Sequence, residues 1–570
     1  MGIEKVGAGY LPENSTSHDY LVPLRLYRIS DSVRVATAAA RGVARSGLVR
    51  PTSPKATLAI TSGVLRWGTS PAVGFSLGSA RHADSTAVVD VDDADRPYVS
   101  FVDIDHRCDT LALSLIDRGI GPGSRVGILG RNSRAYLETI TAVSRTGADL
   151  VYLNTSSTLE AMLTIVAEQK ITLVIRDEEF ADRVPSHVST ISTDTPSGIA
   201  LLASLPRRGR LPAVAHHGRH IILTSGTTSG QSRGAGRSSV PLDAAAAVLD
   251  AFPVKVRGTT LIAAPLFHSW GWMHHRLATL LDATEIVLRR PDPQRILELI
   301  DTHQVETLIT VPVILRRLVE LPRHVRRRYD LTSLTCVAVS GSTLPGDLAT
   351  DFMDTFGDVL YNLYGSTEAA FATCASPDDL RADPSTAGRP LAGVHIEILD
   401  VRGRKVPTGT DGRIFVGSRT TFDGYTDGTD RERTRGLLFT GDIGRLDEEG
   451  RLSIIGRADD MVITGGENVH PTEVEEVLRR NADVADVAVV GVPDSVYGSS
   501  LVAHVVPVAG ITPHEDILLA WSRDRLGPNH RPRRIVFHDE LPRNPTGKVL
   551  KRVLIGDTSS DVDDDEDQAE

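Results

Sequence analysis

Apolar residues along the chain gather into short runs of strand length, and amphipathic stretches of helical length separate them. Arg125 to Leu129 is one such run. Asn132-Ser133 then offers a helix start, and Tyr136, Leu137, Ile140 and Val143 fall on one helical face. Gly147 is placed to close that helix, and Leu150 to Leu153 reads as the next strand. Leu159 to Lys170 followed by Ile171 to Ile175 repeats the unit, as does Arg295 to His303 followed by Val305 to Val311. Ile221 to Leu223 and Thr260 to Ala264 read as further buried strands, and Leu242 to Phe252 as a helix. This alternation, which begins near Thr57, predicts an α/β fold of layered, parallel-stranded subdomains with helices on both faces. After about Gly456 the pattern changes. Thr472 to Arg480, with Pro471 at its start, and Ile517 to Leu526 read as helices, while Val484 to Val492 and Leu501 to Val508 read as strands. Two strands and two helices in about a hundred residues predict a small, separate α+β C-terminal domain.

The expected division is therefore an N-terminal extension over 1–56, a large domain over 57–457, a small domain over 458–556 and an acidic tail over 557–570. A chain of 570 residues is too long for one core, which agrees. Within the extension, Ser32 to Val49 patterns as a basic amphipathic helix. Packing on the main body is the ordinary reading, and peripheral contact with a membrane surface the sharper one. The net charge of −11 overstates the acidity of the folded part, since Asp557 to Glu570 carries eight acidic residues and no basic one. Without that tail the balance is about −3, so global charge implies no nucleic-acid partner. Cys108, Cys336 and Cys374 have neither metal nor disulfide spacing, which fits a reducing, cytoplasmic setting. The first residues lack a signal-peptide pattern, and no apolar run reaches the eighteen residues of a membrane span. Lysine occurs seven times against fifty-five arginines, so each lysine draws notice.

Six stretches carry candidate chemistry. Thr224 to Gly234 follows an apolar strand and holds six hydroxyl residues, three glycines and one arginine. Hydroxyls and glycine-flanked amides suit a polyphosphate, although such a loop alone is more often a surface connection, and this one is no Walker A. Tyr361 to Glu368 (Tyr-Asn-Leu-Tyr-Gly-Ser-Thr-Glu) presents an aromatic face, hydroxyls and a carboxylate suited to a purine, a phosphate oxygen and Mg²⁺. Thr440-Gly441-Asp442 offers a carboxylate for ribose hydroxyls, and Arg457 to Asp460 stands where a joint between domains is expected. Pro545-Thr546-Gly547-Lys548 sets a scarce lysine on a turn. His268, among the aromatics of Pro265 to Gly271, is by itself more often a packed group.

Taken together and in this order, these stretches resemble the adenylate-forming superfamily of acyl-CoA synthetases, peptide-synthetase adenylation domains and luciferases. The likeness runs from about Thr57 to Arg552 and is nearest to bacterial fatty-acyl-CoA synthetases, through Pro265–Gly271, Gly465–Glu475 and Leu541–Leu550. It implies an ATP-dependent ligase that activates a carboxylic acid as acyl-AMP, releases pyrophosphate and passes the acyl group to CoA, with Mg²⁺ present. It also implies that the small domain is mobile. By the same resemblance Thr224, Ser225, Gly226, Thr227, Thr228, Gly230 and Arg233 belong to the loop around the β- and γ-phosphates. Gly341, in Ser340-Gly341-Ser342, and Asn362, Tyr364 and Gly365 border the adenine. Thr367 meets the α-phosphate and Glu368 holds Mg²⁺, while Asp442 and Arg457 serve the ribose. Asp459 is the hinge, Lys548 reaches the reacting carboxylate and α-phosphate, and His268 lies beside the acyl pocket. Gly465 and Gly466 lie on the CoA path, and the forked cations Arg531 and Arg533 suit the nucleotide phosphates of CoA.

The phosphate loop departs from the family. Ser229 is inserted after the threonine pair, Ser232 replaces a proline and Arg233 a lysine, which keeps charge but not the compact ammonium. Small and apolar residues after His268 favour an aliphatic acid, expected to be a medium- to long-chain fatty acid. The alternatives are an acyl-AMP ligase or stand-alone adenylation enzyme loading a carrier protein, and a non-catalytic adenylate-binding relative. Oligomeric state is not legible in the sequence.

Overall fold

The computed structural model describes residues 29–49, 53–195, 198–205, 209–212, 217–224, 233–237, 248–422, 424–464, 467–494, 498–512 and 514–555. Of the helix expected over 242–252, residues 248–251 are described and helical. The tail expected over 557–570 lies outside the description.

Two mainly parallel sheets form the body of the large domain. The first has nine strands, and in it Thr259–Ile262 lies between Thr284–Val287 and the central Thr307–Thr310, parallel to both. The second has six, with Arg125–Leu129 between Asp149–Tyr152 and Leu173–Arg176. Thr86–Asp90 and Tyr98–Ser100 join the first sheet before the chain builds the second and returns. The two sheets are thus nested in sequence. Ser133 caps the helix Arg134–Thr146 through its side chain, and Gly147 ends it in the left-handed region. That helix packs with Phe101–Ile116 around Ile104, Leu111, Tyr136 and Ile140, all fully buried between the sheets. Asn132 ties the sheets together. Its amide donates to the carbonyls of Ile262 (3.0 Å) and Ala264 (2.8 Å), and its oxygen accepts from the Leu266 N–H at 2.9 Å. The loop that carries His268 is fixed by these bonds.

A third sheet was not legible in the sequence. His395–Leu399, Gly412–Gly417, Leu437–Leu446 and Leu452–Arg457, with the short Arg433–Thr434, form an antiparallel layer. Its strands carry glycines and charged residues among their apolar positions, a weaker signal than the continuous runs of the parallel strands. The small domain also holds more than the expected two strands. Arg534–Phe537 adds a third, parallel to Gly498–Pro507, and Val462–Thr464 pairs with Glu467–Val469. Helices Pro471–Arg479 and Glu515–Arg523 complete it.

The N-terminal helix, Ile29–Ser46, lies against the large domain. Arg41 pairs with Asp250 at 2.9 Å, Arg45 reaches the carbonyls of Leu249 and Asp250, and Leu48 packs on the central core. No helix among the described residues is long and apolar enough to cross a membrane.

Candidate active site

The site is assembled where the antiparallel layer meets the end of the nine-stranded sheet. Leu360–Ser366 turns back antiparallel into Ala370–Ala375, and residues 367–369 form the turn. Gly365 is required there, because a Cβ would stand 2.0 Å from the Ala370 carbonyl oxygen. The turn presents Tyr364, Thr367 and Glu368 together. Asp442 and Arg457 are register partners on Leu437–Leu446 and Leu452–Arg457, so pairing alone sets them side by side.

Hydrogen bonds join these residues across the two sheets. The Tyr364 hydroxyl donates to Asp442 Oδ2 at 2.5 Å, and Arg457 Nη1 donates to Asp442 Oδ1 at 3.2 Å. Burial, and then the Asp442 charge, push the Tyr364 hydroxyl well above its usual pKa, so it remains a donor. Arg457 also binds both oxygens of Asp459, at 2.9 and 3.3 Å, which ties the expected ribose contact to the expected hinge. Gly341 (φ +93°) lies just past the strand Cys336–Val339, and Asn362, whose amide reaches the Thr386 carbonyl at 3.4 Å, is the register partner of Val339.

Glu368 is almost fully buried. Its Oε1 accepts from the Tyr425 hydroxyl at 2.5 Å and from Arg431 Nη2 at 3.4 Å. Burial opposes its charge, but the Tyr425 hydroxyl and the Arg431 guanidinium outweigh it and hold the carboxyl below its usual range. Tyr425 and Arg431 escaped the sequence reading. They sit in the charge-rich stretch Tyr425 to Arg435, which reads as a solvated loop. The one available signal was Gly424-Tyr425 ahead of it, a glycine-aromatic pair in an otherwise polar segment. A single anionic carboxylate suits Mg²⁺, which keeps most of its waters and takes further oxygens from substrate phosphates. No cluster of three acidic, histidine or cysteine ligands occurs among the described residues. Glu368 therefore fits a metal that arrives with the nucleotide.

The small domain delivers Lys548 to the same place. Asn544 Oδ1 accepts from the Thr546 N–H (3.0 Å), the Thr546 hydroxyl (2.7 Å) and the Lys548 N–H (2.9 Å). Gly547 takes φ +81°, and a Cβ there would stand 2.7 Å from Val313 Cγ1. Thr546 lies against Gly341 of the large domain. Burial, and then the Arg457 charge, lower the pKa of Lys548, while Asp460, Asp442 and Asp459 act to raise it. The lysine thus shares one electrostatic neighbourhood with Asp442 and Arg457.

His268 precedes the helix Ser269–Leu280, its ring 4.5 Å from that of Phe267. Its buried Nε2 has no partner among the described residues, and burial lowers its pKa to about 4, so it is neutral at pH 7. Ser225, Gly226, Thr227, Thr228 and Gly230 lie outside the described residues, as do Ser229, Ser232, Gly465 and Gly466. For Thr224 and Arg233 only the backbone is described; they face each other as the antiparallel pair that closes the loop. Arg531 donates to the carbonyls of Leu526 (3.0 Å) and Arg523 (2.9 Å), so its guanidinium closes the end of Glu515–Arg523. Arg533 lies two residues on, its backbone N–H bonded to Leu501 O at 2.8 Å.

The AMP-binding enzyme family matches residues 76–426, and its C-terminal domain matches residues 473–548. The chain belongs to the adenylate-forming superfamily, close to the acyl-CoA synthetases. It is 31% identical over 509 residues to a methyl-dioxo-octahydroindenyl propanoyl:CoA ligase of Rhodococcus jostii, covering 82% of this chain and 95% of that one. It is 32% identical over 465 residues to a feruloyl-CoA synthase of Amycolatopsis, covering 80% and 92%. The ATP-bound structure of MatB from Rhodopseudomonas palustris matches with a TM-score of 0.75 at 26% identity, over 85% of this chain and 98% of that one. The protein is an ATP-dependent, AMP-forming acid–CoA ligase, with ATP and CoA as substrates and Mg²⁺ as the metal.

Proposed function

We propose that this adenylate-forming ligase activates a carboxylic acid with a bulky, ring-bearing apolar body, and that Lys548 serves the adenylation half-reaction from the small domain. The observation that carries the second part is the seating of the Asn544–Lys548 turn on Val313 and Gly341, beside the Asp442–Arg457 pair. In the first step a carboxylate oxygen of the acid attacks the α-phosphorus and the bond to pyrophosphate breaks. In the second, the CoA thiolate attacks the acyl carbon and AMP leaves. Charge builds on the transferring phosphorus and on pyrophosphate, so positioned cations and donors lower the barrier most. Tyr364 would border the adenine, Asp442 accept from the ribose hydroxyls, and Arg457 hold Asp442 and approach the phosphates. Thr367 would donate to the α-phosphate. Glu368 would hold Mg²⁺, which neutralises phosphate charge when bound. The division near 457/458, where Arg457 grips Asp459, would be the joint about which the small domain turns.

The acid is inferred from two sources. The relatives named above act on ring-bearing acids, one bicyclic and one aromatic. On the acyl side, His268 is neutral and rests on Phe267, which offers no counter-charge to the ammonium of an amino acid. A medium- to long-chain fatty acid, favoured by the small residues after His268, finds no counterpart in those relatives. Pyrophosphate release should be measured with ferulate, a bicyclic propanoate, decanoate, palmitate and an amino acid, each with and without CoA. The ring-bearing acids are expected to be turned over fastest, and to acyl-CoA. Fastest turnover of decanoate or palmitate would restore the fatty-acid reading, and adenylate formation with no thioester would restore the acyl-AMP ligase.

A further inference from the structure

At Gly441 two guanidiniums meet. A Cβ there would stand 2.8 Å from Arg457 Nη2 and 3.0 Å from Arg431 Nη1. Two cations this close repel, and burial adds to the cost of both charges. Arg457 is compensated by two carboxylates, Asp442 and Asp459. Arg431 has less. Its Nε donates to the Tyr425 hydroxyl at 3.1 Å and its Nη2 makes the long 3.4 Å bond to Glu368. Its Nη1, the nitrogen that approaches Gly441, has no hydrogen-bond partner among the described residues. Its side chain is 30% exposed, so the unused fork faces solvent in part.

The position of this fork matters. Tyr425 bridges to Ala235, and the Thr426 N–H donates to the Gly234 carbonyl at 2.8 Å, immediately past the loop Thr224 to Gly234. On the other side the Phe422 N–H donates to the Glu368 carbonyl at 2.8 Å. Residues 422–431 therefore span from the exit of that loop to the carboxylate fitted for Mg²⁺, with Arg431 turned toward Arg457.

We propose that Arg431 is a further binding residue for the β- and γ-phosphates of ATP. A guanidinium fork matches phosphate oxygens in pairs, and a polyanion between Arg431 and Arg457 removes the repulsion that the two suffer without it. Its weak bond to Glu368 is the contact it exchanges, which frees a carboxylate oxygen for the metal. The inference rests on the adenylation reading of the site, and it assigns this cation to the polyphosphate in a chain whose loop has Arg233 in place of the family's lysine.

The test is direct binding, by calorimetry, of MgATP, AMP and magnesium pyrophosphate to the full chain without acid or CoA. Wild type is compared with Arg431→Gln. A charge-assisted bond to phosphate predicts a loss of about 10- to 100-fold in affinity for ATP and pyrophosphate. AMP, which lacks the β- and γ-phosphates, should bind as before, and that retention also reports an intact fold. Equal losses for ATP and AMP would overturn the proposal by placing Arg431 at the nucleoside or in the scaffold, and unchanged ATP affinity would remove it outright. If wild type bound no ATP, the adenylation reading itself would fall. If wild type bound ATP and Arg431→Gln bound it equally well, only the role of the arginine would.

Discussion

Asp442 and Lys548 occupy one electrostatic neighbourhood, and the protein holds them in different ways. Asp442 is fixed by the large domain, through its register with Arg457 and the Tyr364 hydroxyl from a second sheet. Moving it means breaking bonds between two sheets. The lysine turn is organised by itself. Asn544 accepts three hydrogen bonds from Thr546 and Lys548, its backbone N–H donates to the Lys548 carbonyl at 2.9 Å, and Arg543 binds the Gly547 carbonyl and Asp486. Among the described residues, the hydrogen bonds of 544–548 stay inside the small domain. Beside the charge of Lys548, what this turn offers the large domain is van der Waals contact with Val313 and Gly341. Such a contact can be broken and remade at little cost while the turn keeps its shape. One end of the site is built as scaffold, and the other as a turn held by its own bonds.

The strongest way to break this contrast is to remove the lysine. Losing one positioned cation at a developing charge costs about 3–4 kcal/mol, or roughly 10²–10³ in rate. Lys548→Ala should slow adenylate formation by about that factor. Given ready-made acyl-adenylate and CoA, the same variant should form thioester at nearly the normal rate. Gly466→Leu, on the expected thiol path, should do the reverse. Equal loss of both half-reactions in both variants would mean that the two halves of the site do not act in turn.

A smaller effect sharpens the claim that the turn is organised from within. Asn544→Ala leaves the Thr546 and Lys548 N–H groups without their acceptor, and an unmet buried donor costs about 1–3 kcal/mol. The turn should lose its single shape, and adenylate formation should fall about 10-fold, with the Michaelis constant for ATP unchanged. Asn544→Asp, which keeps the acceptor oxygen, should recover most of the rate. A thermal midpoint that falls while adenylation holds would make Asn544 a plain structural residue.

The parts legible in the sequence are those with a local cause. Ser133 and Gly147 bound their helix where the capping chemistry puts them, and Pro471 opens Pro471–Arg479 because its missing N–H costs nothing there. Lysine scarcity singled out Lys548, and the Tyr361–Glu368 stretch carries its chemistry within eight residues. The Asp442–Arg457 bond was not readable as such, because it depends on register across two strands. Tyr425 and Arg431 were hidden for a related reason. Their meaning comes from Glu368, more than fifty residues earlier, and no local pattern separates them from a solvated loop. Asn544 is not marked by its neighbours, because Asn before Pro reads as turn chemistry, and only geometry shows it gathering three donors.

The last prediction tests whether the large domain is indeed the scaffold half, by asking where acid opens the molecule. His220 is buried between the sheets, with Ser144 Oγ 3.2 Å from Nε2 and the Tyr152 hydroxyl 2.8 Å from Nδ1. Burial, then the nearby Arg276 charge, lower its pKa to about 3, and burial lowers that of His274 to about 4. Both folded values lie below the ordinary 6.5, so the unfolded chain binds more protons as the pH drops. The stability these neutral histidines contribute is therefore present in full above pH 6.5 and is lost as the pH falls toward 4 and then 3. Each adds a slope of up to about 1.4 kcal/mol per pH unit within that window. Trp272 lies 5.5 Å from His220, and Trp270 4.1 Å from His274, so both report on the seam. In a Trp521→Phe background, which silences the helix Glu515–Arg523, the urea midpoint read by fluorescence should fall between pH 7 and pH 5. His220→Gln should lower the midpoint at pH 7 and flatten its dependence on pH. A midpoint as steep in His220→Gln as in wild type would move the acid-sensitive element away from this seam, and with it the case that the large domain is held by its buried polar joints.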